Sequence, residues 1–595
     1  MKKVKELCKA FGYVPTMFKL IYNTDKRYLF YLIIETLCFA LLPYPSVFLI
    51  KYSLDALDNH TLFSEYTIVC ILLILLQFFI SALKSKFNNL RPARTSLVIG
   101  RLYNDFHRHS MEMDYELLAE KETQELQVKA GEFIKRRLAN TVWNFVSLFS
   151  GIISFVFSFV LLFDANAFVT LVVFLSLIVD SAITMKYVSL NIVLDENIIS
   201  NNRYINYYES KITDERAAKD IRIYDMGDKI RSKIEQHNTL KFEYLKKKKK
   251  LNNIRGIFSA IITHGIDILL FVFLGYLVLN EEMSVGSFSL AISNAALFRT
   301  RYSGISSTLT GYSETAKYIE YYNKFIAIES KFRKTGTKHI TLTKNDSFII
   351  EFRNVSFKYP GQTEYALENF SIIINSHEKY SIIGENGAGK STFVKLLMRL
   401  YDPTEGIILL NGIDIKQYNY DDYLSLFAPV FQDYKLFAFT IDENISSFSD
   451  DNIDKLRFSA KKAGIDKRIM QLPKQYKTYF TKQFDDDGVD FSGGEQQKIA
   501  IARSYYRNDA IITILDEPTS ALDPRAERKI YENLNDLIGD NTAFYISHRL
   551  ASSRFCDKII VIKDRHLCEF GSHNELICKK GYYMELYNLQ ADYYK

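Results

Sequence analysis

A chain of 595 residues with 48% hydrophobic content is too long for a single core, so at least two domains are expected. The formal charge is only +6 and its positive excess lies in the N-terminal half, where basic residues beside apolar blocks set membrane topology rather than bind nucleic acid. The 6 cysteines show neither C-x-x-C nor zinc spacing, which leaves them as reduced, structural or incidental thiols.

The N-terminus is basic, but an amphipathic stretch precedes the first long apolar run, which argues against a cleavable signal peptide. Crossing a bilayer takes about 20 mostly apolar residues. Tyr28–Ile50, Tyr66–Leu83, Thr141–Phe163, Ala165–Val188 and Ile254–Leu279 meet that demand. A sixth span, near Phe288–Tyr312, is more polar, carries Arg299 and Arg301, and is inferred partly from the architecture. The short loops hold Asp55, Asp58, Glu65, Glu281 and Glu282, whereas the N-terminal tail and the loops 84–140 and 189–253 are rich in Lys and Arg. The positive-inside rule therefore puts both termini, and everything after the last span, in the cytoplasm of a multi-pass cell-membrane protein. The two long loops read as helical extensions of the spans. Lys246–Lys250, just inside span 5, suits a translocation stop and anionic lipid headgroups. Ionisable residues within the spans (Glu35, Asp180, His264, Asp267, Arg299, Arg301) are the candidate cavity lining, since lipid exposure would be costly.

Residues 1–330 thus form an all-α transmembrane domain and 331–346 a linker. From 347 to 595, short strands and helices alternate as in an α/β domain. Gly384-Glu385-Asn386-Gly387-Ala388-Gly389-Lys390-Ser391 fits G-x-x-x-x-G-K-[ST] after a short strand, Tyr380–Ile383. Such a turn lets backbone N–H groups curl around a phosphate chain, with Lys390 as a point charge, the Ser391 hydroxyl on Mg²⁺, and a helix opening at Thr392. Tyr359 offers a ring that can stack on a purine. Further on come Gln432 in Val-Phe-Gln-Asp, then Ser492-Gly493-Gly494-Glu495 opening a helical pattern. Asp516 and Glu517 end an apolar strand, and His548 follows another.

At these residues, over roughly 348–595, the chain resembles the nucleotide-binding domain of ABC transporters, and its span layout resembles their six-helix exporters. The resemblance implies an all-α six-helix transmembrane domain followed by an α/β P-loop NTPase nucleotide-binding domain, with ATP and Mg²⁺ as ligands. It implies Asp516, Gln432 and Ser391 on the metal, Glu517 as general base and His548 holding the γ-phosphate. Ser492, Gly493, Gly494 and Glu495 would close over ATP bound by another chain, and the loop ending at Asp523 would contact that chain. A second half-transporter is then a required partner, a homodimer being favoured over a heterodimer. Short coupling helices are implied at Asp114–Glu120 and Thr213–Met226. Phe491 and Glu495 replace the commoner Leu and Gln. The wording Glu215-Arg-Ala-Ala-Lys-Asp-Ile-Arg-Ile-Tyr224 is similar to bacterial peptide and lantibiotic exporters, which makes a peptide the favoured cargo, with a drug or lipid as the alternative and an importer or gated channel behind them. The tail before span 1 is too short for the peptidase that clips leader peptides in some of these exporters, so no cargo processing is expected.

Overall fold

The computed structural model describes residues 14–448, 452–517, 541–546 and 550–593. The chain divides into two compact units: Met1–Arg108 with Leu126–Phe325, and His109–Glu125 with Ile326–Lys595.

In the first unit, α1 (Val14–Thr24), α2 (Lys26–Leu41) and α3 (Tyr44–Asp58) are followed by a 50-residue helix, α4 (Phe63–Glu112). Asp25 caps α2, accepting from the backbone N–H groups of Arg27 and Tyr28. The first expected span is interrupted at Leu42–Pro43, because proline cannot donate the next helical hydrogen bond. Then come α5 (Tyr115–Ala119), which belongs to the second unit, α6 (Lys121–Glu132), a π-turn at Phe133–Arg137, α7 (Leu138–Ala165), α8 (Ala167–Ile212), α9 (Glu215–Ile223), α10 (Gly227–Leu279) and α11 (Val285–Ile326). Among the described residues, 5 helical stretches are long and apolar enough to cross a membrane. The helix expected to hold the sixth span, α11, falls below that threshold of composition. It instead buries Leu290, Ala291, Ala295 and Phe298, the last three in one cluster with Leu162, Val173 and Leu270 of α7, α8 and α10. A helix enclosed by its neighbours can carry polar residues that lipid would penalise. By contrast α4 leaves Ile71, Leu72, Leu75 and Phe78 exposed, as a lipid-facing helix would.

In the second unit a short helix, α12 (Phe332–Thr335), precedes two sheets. The first is antiparallel and contains β1 (Ile349–Phe357) and β2 (Leu367–Asn375). After β3 (Lys379–Ile383) and α13 (Lys390–Leu397), β4 (Glu405–Leu410) and β5 (Ile413–Asp414) complete its order, β2-β1-β4-β5. Next are α14 (Tyr420–Ser425), β6 (Phe427–Val430), α15 (Ile441–Ser446), α16 (Ile453–Lys462), α17 (Asp466–Met470) and α18 (Gly493–Tyr506). The second sheet closes with β7 (Ile512–Asp516), β8 (Thr542–Ile546), β9 (Lys558–Lys563) and β10 (His566–Gly571), and the chain ends with α19 (His573–Lys579) and α20 (Tyr582–Tyr593). Its order is β10-β9-β3-β8-β7-β6, parallel except at the β10 edge. The central strands are apolar along their length because both faces are covered. Their C-terminal ends gather Ile383, Val430, Asp516 and Ile546 along one edge, where open α/β sheets place ligands.

The residues expected to link the domains are laid against this second unit. Phe332 is buried, and the N–H groups of Thr337 and Lys338 both donate to the Gln417 carbonyl. Arg399, itself fully buried, lies under the rings of Phe332 and Tyr420 and donates to the Ile415 carbonyl.

Candidate functional site

The phosphate loop leaves β3 and enters α13 through two glycines at positive φ, Gly387 (81°) and Gly389 (109°), a conformation that a Cβ disfavours. At Gly389 a Cβ would also meet the Ala366 carbonyl at 2.7 Å, so the tight approach of β2 to the loop needs glycine twice over. Lys390 is buried and donates through Nζ to the carbonyls of Gly384 (2.8 Å) and Glu385 (3.0 Å). Burial lowers its pKa, and the carboxylates of Glu517 and Asp516 oppose that shift.

β7 delivers Asp516 and Glu517 beside the lysine. Burial, with Glu517 adding like charge, pushes the Asp516 carboxyl up to about 6. Glu517 holds φ at +49°, rarely adopted by a side chain of this kind. Two hydrogen bonds pin that conformation: its N–H donates to the Ile546 carbonyl (2.9 Å) and its own carbonyl accepts from Gln497 Nε2 (3.3 Å). Gln432, just past β6, donates from Nε2 to Glu517 Oε2 at 2.8 Å. Sequence positions 390, 432, 516 and 517 thus converge. With its nitrogen on Glu517, Gln432 offers its amide oxygen as an acceptor. With the Asp516 carboxylate, and with the Ser391 hydroxyl next in sequence to Lys390, it would supply hard oxygen donors of the kind that Mg²⁺ takes. Two carboxylates facing one lysine leave negative charge for such a cation to balance.

Tyr359 lies half-buried at the loop's flank, its hydroxyl 3.0 Å from Thr392 Oγ1 and its ring edge-on to Phe357 and Tyr401. Ser492 starts α18 as half of a capping box: its N–H and hydroxyl both donate to Glu495 Oε2 at 2.9 Å, while Glu495 accepts from Arg468. The Glu at 495 therefore serves the helix start, and Phe491, buried and stacked on Phe480, anchors the turn. The acidic run just upstream is held by Lys474, which bonds both Asp485 and Asp487. Asp523 and His548 lie outside the described residues.

In the second unit the short helix α5 meets Ser330, Lys331 and Tyr401. Asp114 accepts from Ser330 Oγ and the Lys331 N–H, and the Tyr115 ring stands edge-on to Tyr401 at 5.6 Å. Burial, then the neighbouring Asp402, raises the Glu116 carboxyl. The other expected coupling segment forms α9, with Lys219, Arg222 and Tyr224 on or next to it. Of the intramembrane candidates, Glu35 is paired with Arg91, and Asp267 with Arg299 and His264. Asp180 Oδ1 and Arg301 Nε are buried with no hydrogen-bond partner among the described residues.

Sequence reasoning missed three contributors: Gln497, which holds the Glu517 carbonyl; Tyr401, which joins Tyr115 to Tyr359; and Tyr582, whose hydroxyl donates to Glu385 of the phosphate loop. Tyr401 and Tyr582 fall outside any phosphate-binding motif, so only folding makes them neighbours of the site.

Residues 367–520 match the ABC transporter family. The chain is 28% identical over 608 aligned positions to the subtilin transport ATP-binding protein SpaT of Bacillus subtilis, covering 97% of this chain and 94% of that protein. It is 39% identical to the ATP-dependent lipid A-core flippase 2 of Colwellia psychrerythraea, but over 43% of each chain. A solved bacterial Atm1-family ABC exporter with ATP bound shares the fold, with a TM-score of 0.77 and 22% identity across 95% of this chain and 99% of that one. Residues 367–520 thus carry an ABC transporter domain, an ATP-hydrolysing module fused in one half-transporter chain to a membrane-helix region.

Proposed function

We propose that this half-transporter exports a peptide from the cytoplasm, using ATP hydrolysed at sites completed by a second copy of the chain. The observation that carries the chemical part is the 2.8 Å bond from Gln432 to Glu517 beside Lys390 and Asp516. In this reading the loop N–H groups and Lys390 hold the β- and γ-phosphates, and Tyr359 supports the purine. Asp516, Ser391 and Gln432 would hold Mg²⁺, which offsets the negative charge of the phosphate oxygens. Glu517 takes the proton of the attacking water on its carboxylate, and Gln432 keeps that carboxylate aimed. Ser492–Glu495 sit at a helix N-terminus formed for a γ-phosphate, and they serve the ATP of the opposite copy. His548 holds the γ-phosphate and the attacking water beside Glu517, and Asp523 contacts the opposite copy. The domains run 1–330, 331–346 and 347–595, with the last in the cytoplasm.

Peptide cargo is favoured because the resemblance to the subtilin transport protein runs the length of both chains, whereas that to the flippase covers 43% of each. The deciding experiment uses inverted membrane vesicles containing this protein and fluorescent peptides of graded length and charge. ATP added outside should drive peptide in, and the Glu517→Gln variant should not. Movement of labelled lipid or dye, with no peptide uptake, would replace the cargo assignment by a flippase or drug exporter.

A further inference from the structure

The C-terminal helix α20 is tied to the phosphate loop by a contact that the established ATPase chemistry does not use. Tyr582 is the first residue of α20, and its hydroxyl donates to Glu385 Oε1 at 2.7 Å across 197 residues of sequence. Lys563, at the end of β9, sits 4.1 Å over the same ring, and so the ring is clamped between a cation and an anion. The start of α20 is itself fixed. The Glu569 carboxylate accepts from the N–H groups of Tyr582 (3.1 Å) and Tyr583 (2.9 Å), a charge-assisted cap. At Gly581 any Cβ would run into that carboxylate. Tyr583 is fully buried, its hydroxyl bonded to Ser553 (2.9 Å) and His573 (2.7 Å), and it packs with Ile383, the residue directly before the phosphate loop.

Glu385 is also the residue whose carbonyl holds Lys390 and accepts from the Ala388 N–H. Fixing its side chain therefore fixes the peptide plane that aims the lysine. We propose that Tyr582 is a positioning residue for nucleotide: through Glu385 it sets the shape of the phosphate loop, so that docking of α20 tunes the ATP affinity of the chain. The proposal rests on the reading of Gly384–Ser391 as the phosphate cradle. A loop held in its binding shape before ATP arrives loses less entropy on binding, so the contact acts on affinity rather than on the hydrolytic step.

The test is made on the purified full-length protein in lipid nanodiscs. Tyr582→Phe, Glu385→Ala, Glu385→Gln and the Tyr582→Phe/Glu385→Ala double variant are compared for fluorescent-ATP binding, for KM and kcat, and for thermal midpoint. Tyr582→Phe should weaken ATP binding and raise KM about three- to tenfold, as loss of a hydrogen bond to a charged group does, with kcat within about twofold. Glu385→Ala should weaken ATP binding by a similar factor, the double variant should bind no worse than either single one, and Glu385→Gln, which keeps an acceptor oxygen, should recover most of the loss. An unchanged KM in Tyr582→Phe would overturn the proposal. So would a double variant whose losses multiply, or a fall in thermal midpoint and kcat with KM constant. A wild-type chain that binds no ATP would overturn the cradle reading as well; one that binds it, with Tyr582→Phe binding equally, overturns this inference alone.

Discussion

Glu517 combines an unfavourable backbone angle with two hydrogen bonds that enforce it, a pattern in which the surrounding structure supports strain where a side chain must be aimed. Its exchange for Gln keeps size and hydrogen-bonding capacity but removes the basic oxygen. Glu517→Gln should bind ATP normally and hydrolyse it at least about 10²-fold more slowly, the usual loss with a general base. Phosphate release alongside nucleotide titration checks both halves, and hydrolysis near the wild-type rate would refute the assignment. The meeting of positions 390, 432, 516 and 517 was legible from motif order alone, since phosphate and metal chemistry would demand those groups together. The left-handed backbone at 517 was not, because it depends on Ile546 and Gln497, which lie on other elements. Likewise Glu495 was readable as a departure from the usual wording, but its capping role needed the helix start to be seen.

Among elements, α5 stands out because a five-residue helix has no stability of its own and exists through what it touches. Its Tyr115 meets Tyr401, which meets Tyr359, whose hydroxyl reaches Thr392 of α13. We expect Tyr115→Ala to leave ATP hydrolysis within about twofold while peptide uptake into inverted vesicles falls about two- to tenfold, the worth of one edge-on ring pair. Equal losses in both measurements would place the ring in the fold rather than in coupling. The segment was recognisable as a short helix between long ones, yet its partner was not, for Tyr401 is 286 positions away (401 − 115). Apolar length found the first five spans; it understated α11, whose neighbours shelter its polar residues, and missed the break at Pro43, where a hydropathy average cannot register one absent N–H.

At the scale of the whole molecule, the orientation expected from charge asymmetry can be tested. In a background lacking the native cysteines, His60→Cys lies in an exposed turn between α3 and α4 and should react with an impermeant thiol reagent added to intact cells. Lys247→Cys, equally exposed, should react only after permeabilisation; the reverse would invert the topology. A site shared between two copies, as proposed, would make a second demand. Lys390→Ala and Ser492→Arg chains should each be inactive alone, yet differently tagged and purified as a mixed pair they should regain hydrolysis, because the intact loop of one chain faces the intact Ser492 of the other. No recovery would mean that each chain works with its own parts.

The second unit is not a contiguous tail: polypeptide enters it at His109, leaves at Glu125 and returns at Ile326. During synthesis Tyr115 therefore emerges long before Tyr401 exists to receive it, and all 5 apolar stretches are made in between or earlier while that surface is still unmade. Closing such distant contacts is slow. The loop that carries α5 must wait, apolar ring exposed, until translation has passed residue 401, so the interval between these two events is when a nascent chain of this protein is most open to chaperones and proteases.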